Sequence, residues 1–195
     1  MDKFIAQIAS QVQLTNEELS IVKEFAALGK SVSLKKGEHL LDAGTINDLM
    51  VFVNEGILRQ YVTDANGNEK IIQLLMDGRF FEDCVEIAAP IDYAIQAIED
   101  CELTCFKMTD VVGFSSKFTV MEKIGNTMAM GNMQQNNEHI ALLMKYTPEE
   151  RYKYVLEHKP ELIQRLSVTH LAQYLDMSRE TLSRIRSKVF EHNVL

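Results

Sequence analysis

The sequence predicts an α+β protein with three successive parts: a region of short antiparallel strands, one long helix, and a small all-α domain. Between Lys30 and Phe106, short apolar runs alternate with turn residues, which is typical of an antiparallel barrel or sandwich. No proline interrupts the apolar periodicity of residues 116–146. The stretch "LSVTHLAQYLDMSRETLSRIRSKVF", residues 166–190, has the spacing of two short helices joined by a turn.

Composition and charge favour a globular protein with one basic end. The chain is 46% hydrophobic and 25% charged, and no run of about 18 apolar residues could span a membrane. The N-terminal stretch is too polar for a secretory signal, so we expect a cytoplasmic protein with no membrane partner. The formal net charge is −8, but residues 146–195 hold 8 Lys/Arg against 7 Asp/Glu. A local basic surface can therefore form at the end of an acidic chain.

Local signals predict a helical N-terminal region and one hairpin. Residues 1–28 have helical periodicity, and Thr15 with Glu18 has the pattern of a capping box. Within the strand region, Asn66-Gly67 predicts a type I′ turn. That turn would pair the flanking segments "LRQYVT" and "EKIIQLL" as antiparallel neighbours.

A single helix of about 30 residues is predicted between Ser116 and Tyr146. The spacing of Met121, Ile124 and Met128 is compatible with a coiled-coil seam, which predicts a homodimer. The alternative, that this stripe packs on the chain's own strands, stays open. Thr147, followed by Pro148 and Glu150, predicts the start of a new helix. Residues 146–147 are therefore a candidate hinge.

The C-terminal pattern predicts a DNA-binding helix-turn-helix. Ser167 would cap a helix over residues 168–175, and Ser178 would cap a second helix that begins at Arg179. The apolar positions share one face of this pair: Leu171, Leu175, Leu182, Ile185 and Val189. The opposite face begins with Arg179, Glu180 and Arg184, where a recognition helix reads base edges. A solvated basic helix with an ordinary Glu180–Arg184 ion pair is the alternative.

Several further polar residues could contact the DNA backbone instead of the bases. These residues lie at the start of the first helix, at the cap of the second helix, or late in the second helix, where phosphates are the nearer partners. They are Ser178, Thr169, His170, Arg186 and Lys188.

Three segments resemble the Crp/Fnr family of bacterial transcription regulators. "SRETLSRI" behind "SVTHLAQYLDM" is similar to the family's recognition helix, and "TPEERYKYVL" to the start of its DNA-binding domain. "KKGEHLLDAGTINDLMVFVNEGILRQYVTDANGNEKIIQLLMDGRFF" resembles its cyclic-nucleotide-binding β-roll. The resemblance implies a jelly-roll-like sensor domain over 1–115, a dimerisation helix over 116–146 and a helix-turn-helix domain over 147–195.

The resemblance also implies partners and base-reading residues. The expected partners are double-stranded DNA and a second copy of the chain, with RNA polymerase and an unknown small-molecule effector as possible further ones. The family's base-reading residues match Arg179, Glu180 and Arg184. Asp176 stands where the family has a turn glycine, which implies a modest backbone strain.

The family's effector pocket is degenerate in this sequence. Its phosphate-binding pairs fall on Glu82-Asp83 and Ile91-Asp92, so the expected arginine is missing and carboxylates surround the site. A buried cyclic phosphate needs a cation and donors, and it would meet repulsion here. The purine-contacting pair falls on Gln134 and Gln135, and Arg79, a nearby cation, aligns with an exposed turn. Cyclic AMP is therefore not expected as the effector.

Other chemistries have little support in the sequence. The 3 cysteines are too few to ligate an iron–sulfur cluster and are spaced unlike a disulfide framework. The 5 histidines are scattered, although His39 and His139 stay open as haem ligands, and we predict no metal and no cofactor. No nucleophile–base pair or phosphate loop indicates an enzyme, although the carboxylate cluster could mimic an acid/base pair. The alternative to a transcription regulator is a ligand-binding or protein-interaction module with a vestigial DNA-binding end.

Overall fold

The computed structural model describes residues 2–81 and 90–192 and confirms the α+β prediction. The chain divides into two compact units. The first unit comprises Met1–Gln60 and Leu74–Gln135, and the second comprises Tyr61–Gln73 and Asn136–Leu195. Within the described ranges, no helix has the length and apolar character needed to cross a membrane.

The strands of the described residues form two four-stranded sheets. Their orders are β1-β8-β3-β6 and β2-β7-β4-β5. The strands are β1 (Lys30–Leu34), β2 (His39–Leu41), β3 (Leu49–Glu55), β4 (Leu58–Thr63), β5 (Glu69–Leu75), β6 (Phe80–Phe81), β7 (Ala94–Ala97) and β8 (Cys101–Lys107). Between β3 and β4, Gly56 has φ 107°, and a Cβ there would lie 2.6 Å from Cys101 Sγ. Only glycine fits this turn.

The helices differ in detail from those predicted. They are α1 (Asp2–Gln11), α2 (Asn16–Ala26), α3 (Met108–Ser115), α4 (Thr119–Lys145), α5 (Pro148–His158), α6 (Pro160–Arg165), α7 (Val168–Tyr174) and α8 (Arg179–His192). The predicted helical region at the N-terminus forms two helices, and the capping box of Thr15 and Glu18, confirmed by the structure, starts the second of them. The capping box of Thr147 and Glu150 is also confirmed and starts α5, with Pro148 in the first turn.

The turn between β4 and β5 is not of type I′. Gly67 has φ 82°, but Asn66 does not have the positive φ that a type I′ turn requires. The Gly67 amide donates to the Asp64 carbonyl at 2.9 Å, and the Asp64 carboxylate accepts from the amides of Asn66 and Asn68. Aspartate at the first position and glycine at the fourth favour a type I turn, so the loop is longer than predicted. The predicted pairing of the two strands is confirmed.

A cluster of phenylalanines forms the core of the first unit. Phe25 stacks on Phe106 with ring centroids 4.8 Å apart, and Phe4 meets Phe52 edge-on at 5.4 Å. The predicted seam residues of α4, Met121, Ile124 and Met128, are buried in this same cluster. The alternative reading, packing on the chain's own strands and helices, is therefore correct for this stripe. Because Met121, Ile124 and Met128 are buried in this core, they cannot contact a second copy of the chain.

The second unit joins the tip of the β4–β5 hairpin to the C-terminal helices. Its apolar core lies among α5, α6, α7 and α8, with the end of α4. The buried residues of this core include Leu142, Tyr152, Val155, Leu162, Leu166, Leu171, Leu175, Leu182, Ile185 and Val189.

Candidate nucleic-acid interface

The first helix of the motif is capped at both ends by local chemistry. Ser167 Oγ accepts from the His170 amide at 3.1 Å, as predicted. At the other end, the Met177 amide donates to the Ala172 carbonyl at 3.0 Å, which is the long bond of a Schellman motif. This motif requires a left-handed residue after the helix, and Asp176 takes that position with φ 50°. The predicted turn between the two short helices is confirmed.

The second helix of the motif, α8, is anchored by its buried face. Ser178 Oγ accepts from the Thr181 amide at 3.1 Å, so the predicted cap is confirmed. Leu182, Ile185 and Val189 are each at most 8% exposed, and α8 packs against α7 and α5. Because this face is fixed in the core, the opposite face of the helix is held toward solvent.

The three predicted base-reading residues all lie on that exposed face. Arg179, Glu180 and Arg184 are exposed, and none of them forms an ion pair with the part of the chain that the structure describes. The alternative Glu180–Arg184 ion pair is therefore not formed. Arginine offers a fork of donors that suits guanine, and glutamate can accept from the amino group of cytosine. The face presents these groups without a competing partner among the described residues.

The predicted backbone-contacting residues are in different settings. Ser178 and Thr169 are exposed, whereas His170 and Arg186 are half-buried. Lys188 is exposed, but its Nζ lies 2.8 Å from Glu149 Oε2 on α5. Hydrogen bonds from Lys153 and Lys188 hold the pKa of the Glu149 carboxyl at about 2, well below its usual value. A phosphate contact by Lys188 would have to compete with this ion pair.

Asp176 has a partner that sequence reasoning did not find. Its carboxylate forms an ion pair with Lys70 at the start of β5, and Gln173 Nε2 donates to Glu69 Oε2 at 3.1 Å. Both members of the ion pair are about half exposed, so we expect it to contribute at most about 1 kcal/mol. These contacts give a physical reason for an aspartate at a position that favours glycine.

His139 on α4 is a second residue whose setting the sequence did not reveal. Its side chain is buried and stacks on the Tyr174 ring with centroids 4.0 Å apart. Nδ1 lies 3.0 Å from the Ile72 carbonyl oxygen and Nε2 lies 2.8 Å from the Tyr174 carbonyl oxygen. Burial lowers the pKa of His139, although the two carbonyl contacts oppose that shift. Both ring nitrogens of His139 are therefore used in contacts with backbone carbonyls. The interpretation of His139 as a haem ligand has no support in this geometry.

Arg151 on α5 ties the predicted hinge to the motif. Its guanidinium donates to the carbonyls of Leu143 at 2.6 Å, Tyr146 at 2.9 Å and Leu175 at 2.9 Å. The last turn of α4 and the end of α7 therefore share one cation. The last carbonyls of a helix have no amide partner within the helix, and a positively charged side chain near the C-terminus can donate hydrogen bonds to them.

The predicted effector residues are only partly described. Glu82 and Asp83 lie outside the described residues. The Ile91 amide donates to the Thr45 carbonyl at 2.9 Å, and its carbonyl accepts from the Gly44 amide at 2.7 Å, while Asp92 is exposed. The backbone of Ile91 is thus already used by a neighbouring turn.

The two predicted purine-contacting residues diverge along α4. Gln134 is exposed, whereas the Gln135 carboxamide lies against the Arg79 guanidinium. Arg79 is half-buried, so its predicted place on an exposed turn was wrong: a turn residue next to a packed helix is partly covered.

The strand region also holds a buried cation that the sequence analysis missed. Arg59 on β4 is 4% exposed, and its Nε donates to Gln96 Oε1 at 2.9 Å. Cys101 and Cys105 are buried free thiols, and burial raises the pKa of Cys105 to about 11. Among the described residues no cluster of His, Cys, Asp or Glu could hold a metal ion.

Comparison with known proteins gives the fold a family context. The family profile of the cyclic nucleotide-binding domain matches residues 31–117. No curated protein sequence matches the chain significantly. The family match covers the strand region and ends before α4, so it does not include the helix-turn-helix.

Solved structures match over most of the chain, at low identity. FixK2 from Bradyrhizobium japonicum has a TM-score of 0.73 at 21% identity, covering 86% of this chain and 87% of its own. The c-di-GMP-responsive global regulator CLP from Xanthomonas campestris has a TM-score of 0.73 at 15% identity, covering 89% and 92%. TTHA1359, a CRP/FNR-family transcriptional regulator from Thermus thermophilus, has a TM-score of 0.68 at 19% identity, covering 84% and 87%. Residues 31–117 therefore resemble a cyclic nucleotide-binding domain, and the chain has the fold of the Crp/Fnr-family transcription regulators.

Proposed function

We propose that the chain is a sequence-specific DNA-binding transcription regulator that acts as a homodimer. The observation that carries this proposal is the exposed face of α8. Arg179, Glu180 and Arg184 project from the first turns of a helix whose other face is fixed by Leu182 and Ile185. A recognition helix in the major groove uses these N-terminal positions to contact base edges.

The dimer proposal rests on a second stripe of α4, different from the one predicted. Met130, Met133, Ile140 and Met144 are 73%, 66%, 52% and 81% exposed. With Asn137 they recur at spacings of three and four residues, which is the a/d pattern of a two-stranded coiled coil. A bare apolar stripe of this period fits the same stripe of a second copy, because a two-fold interface is self-complementary.

Charge supports self-association through this stripe. We define the outer stripe as Met130, Met133, Asn137, Ile140 and Met144. The e and g positions beside it carry no charge, being Thr127, Ala129, Gln134, Asn136, Ala141 and Leu143. The chain as a whole carries −8, so two copies meeting elsewhere would bring like charges together. The outer stripe avoids that repulsion.

A parallel dimer would suit a two-fold symmetric DNA site. Two recognition helices that enter successive major grooves lie about 34 Å apart, so the spacing of half-sites follows from the dimer. We propose that a change at residues 146–147 alters this spacing and thereby controls binding. Arg151 is the contact that such a change would have to break.

The effector stays open in this proposal, but cyclic AMP is not favoured. Ile91 and Asp92 stand where the family's phosphate-binding pair would be, so the site offers a carboxylate to an anion. Titration calorimetry with cyclic AMP is expected to show no binding heat up to about 1 mM ligand. Saturable binding at micromolar ligand would contradict this part of the proposal.

The test of the main proposal is selection of binding sites from a random pool of duplex DNA. The ligand-free wild-type protein is expected to enrich a two-fold symmetric site. Arg184→Ala is expected to lose that enrichment, because each base contact is worth about 1–3 kcal/mol and a dimer loses two of them. Binding is measured by electrophoretic mobility shift on the enriched site and on a scrambled site.

Arg186→Ala is the matched control, since it removes the same side chain from the same helix two residues later. It is expected to weaken binding to both sites about equally and to reduce the salt dependence. If Arg184→Ala binds the enriched site as tightly as the wild type, α8 does not read DNA. The chain would then be better described as a ligand-binding or protein-interaction module with a vestigial DNA-binding end.

A further inference from the structure

The outer stripe of α4 contains one polar residue at its centre. Asn137 occupies an a position, with Met133 and Ile140 as the nearest d positions and Met130 and Met144 as the adjacent a positions. All five side chains are exposed. An amide placed in an otherwise apolar seam is the feature that needs explanation, because burying it weakens association.

Asn137 is not part of the buried face of α4. Leu142 is 3% exposed and His139 is 6% exposed, and both pack within the second unit. Asn132, by contrast, uses its amide to donate to the Phe80 carbonyl at 3.1 Å within the first unit. Asn137 lies on the bare side of α4, so its amide faces whatever covers the outer stripe.

We propose that Asn137 fixes the orientation and register of the homodimer by pairing with Asn137 of the second copy. This inference rests on the proposed dimer. In a parallel, in-register pair of helices the two Asn137 amides meet, and each can donate to and accept from the other. A single asparagine at an a position selects such a pairing over its competitors.

The competing arrangements leave the amide without a partner. In an antiparallel pair each a position meets a d position, so Asn137 would face Ile140 of the second copy. A slip by one heptad would place it against Met130 or Met144 of the second copy. Each alternative buries an unpaired amide in an apolar seam, and burial without a hydrogen bond is unfavourable. The parallel register is also the one that sets two recognition helices side by side.

The test uses Asn137→Met, which makes the outer stripe uniformly apolar, and Asn136→Met as the matched control beside the stripe. Copies labelled with different nitrogen isotopes are mixed and joined with a short amine-reactive cross-linker. Lys145 is exposed at the end of the stripe. In a parallel register the two Lys145 side chains are level, whereas in the antiparallel pair they are about 20 Å apart along the axis. Mass spectrometry then counts the Lys145–Lys145 links between copies.

Wild type and Asn136→Met are expected to give mainly Lys145–Lys145 links. Asn137→Met is expected to associate at least about tenfold more tightly by sedimentation equilibrium, because its stripe no longer buries an amide. It is also expected to lose at least half of the Lys145–Lys145 links. An unchanged share of these links in Asn137→Met, or an equal loss in Asn136→Met, would overturn the inference. A monomeric wild type would instead overturn the proposed dimer, so the two failures are distinguishable.

Discussion

The two faces of α4 have similar apolar patterns in the sequence, but one face is buried in the structure and the other is exposed. The inner face carries Ile124, which is 3% exposed in the phenylalanine core. The outer face carries Ile140, which is 52% exposed, in a stripe of methionines. Both faces have apolar residues at spacings of three and four. Helical periodicity therefore identifies apolar faces but does not say whether the partner is the same chain or a second one.

The strongest test of this difference is to truncate the inner face. Ile124→Ala removes buried methyl groups from a packed core, and such changes destabilise proteins by about 2–5 kcal/mol. We expect a loss of that size in the free energy of unfolding, measured by urea denaturation at low protein concentration. The monomer–dimer equilibrium of the folded fraction should change little.

The same substitution on the outer face should weaken dimerisation and leave the stability of the single chain nearly unchanged. Ile140→Ala is expected to change the unfolding free energy of the isolated chain by less than about 1 kcal/mol, since the side chain is half exposed. It should weaken dimerisation by about 1–3 kcal/mol per dimer, because two copies lose burial. Sedimentation equilibrium measures this. Equal destabilisation by the two isoleucine variants at low concentration would mean that the faces are not distinct.

A finer test uses a titratable residue that is buried on the inner face. Burial lowers the pKa of His139 below its usual value of 6.5, and the charges of Lys159 and Arg151 add to that effect. The fold therefore favours the neutral imidazole. The stability that His139 contributes is present above pH 6.5 and is lost as the pH falls through the lowered pKa.

We expect the unfolding free energy of wild type to exceed that of His139→Gln at about pH 8, and the difference to shrink as the pH falls below 6.5. Taking this difference cancels the titration of other groups. His158→Gln, at an exposed histidine on α5, is measured in parallel as the control for the loss of a histidine. A difference that grows on acidification would mean that the charged ring, donating to both carbonyls, is the favoured form.

The sequence determined the features that depend on neighbouring residues. The caps at Thr15, Thr147, Ser167 and Ser178 were all predicted, because each cap involves a side chain and an amide three residues away. The two helices of the motif and the exposed positions of Arg179, Glu180 and Arg184 followed from the same short-range spacing. Local chemistry of this kind needs no knowledge of the rest of the chain.

Only the tertiary structure decided which distant groups meet. The partner of Asp176 is Lys70, 106 residues away, and His139 contacts carbonyls 67 and 35 residues away. The inner stripe of α4 was mistaken for a dimer seam because its burial comes from strands and helices far away in the sequence. Periodicity fixes which side chains share a face. The surface that this face meets is set by how the whole chain folds, because apolar burial is non-directional and does not itself select a partner.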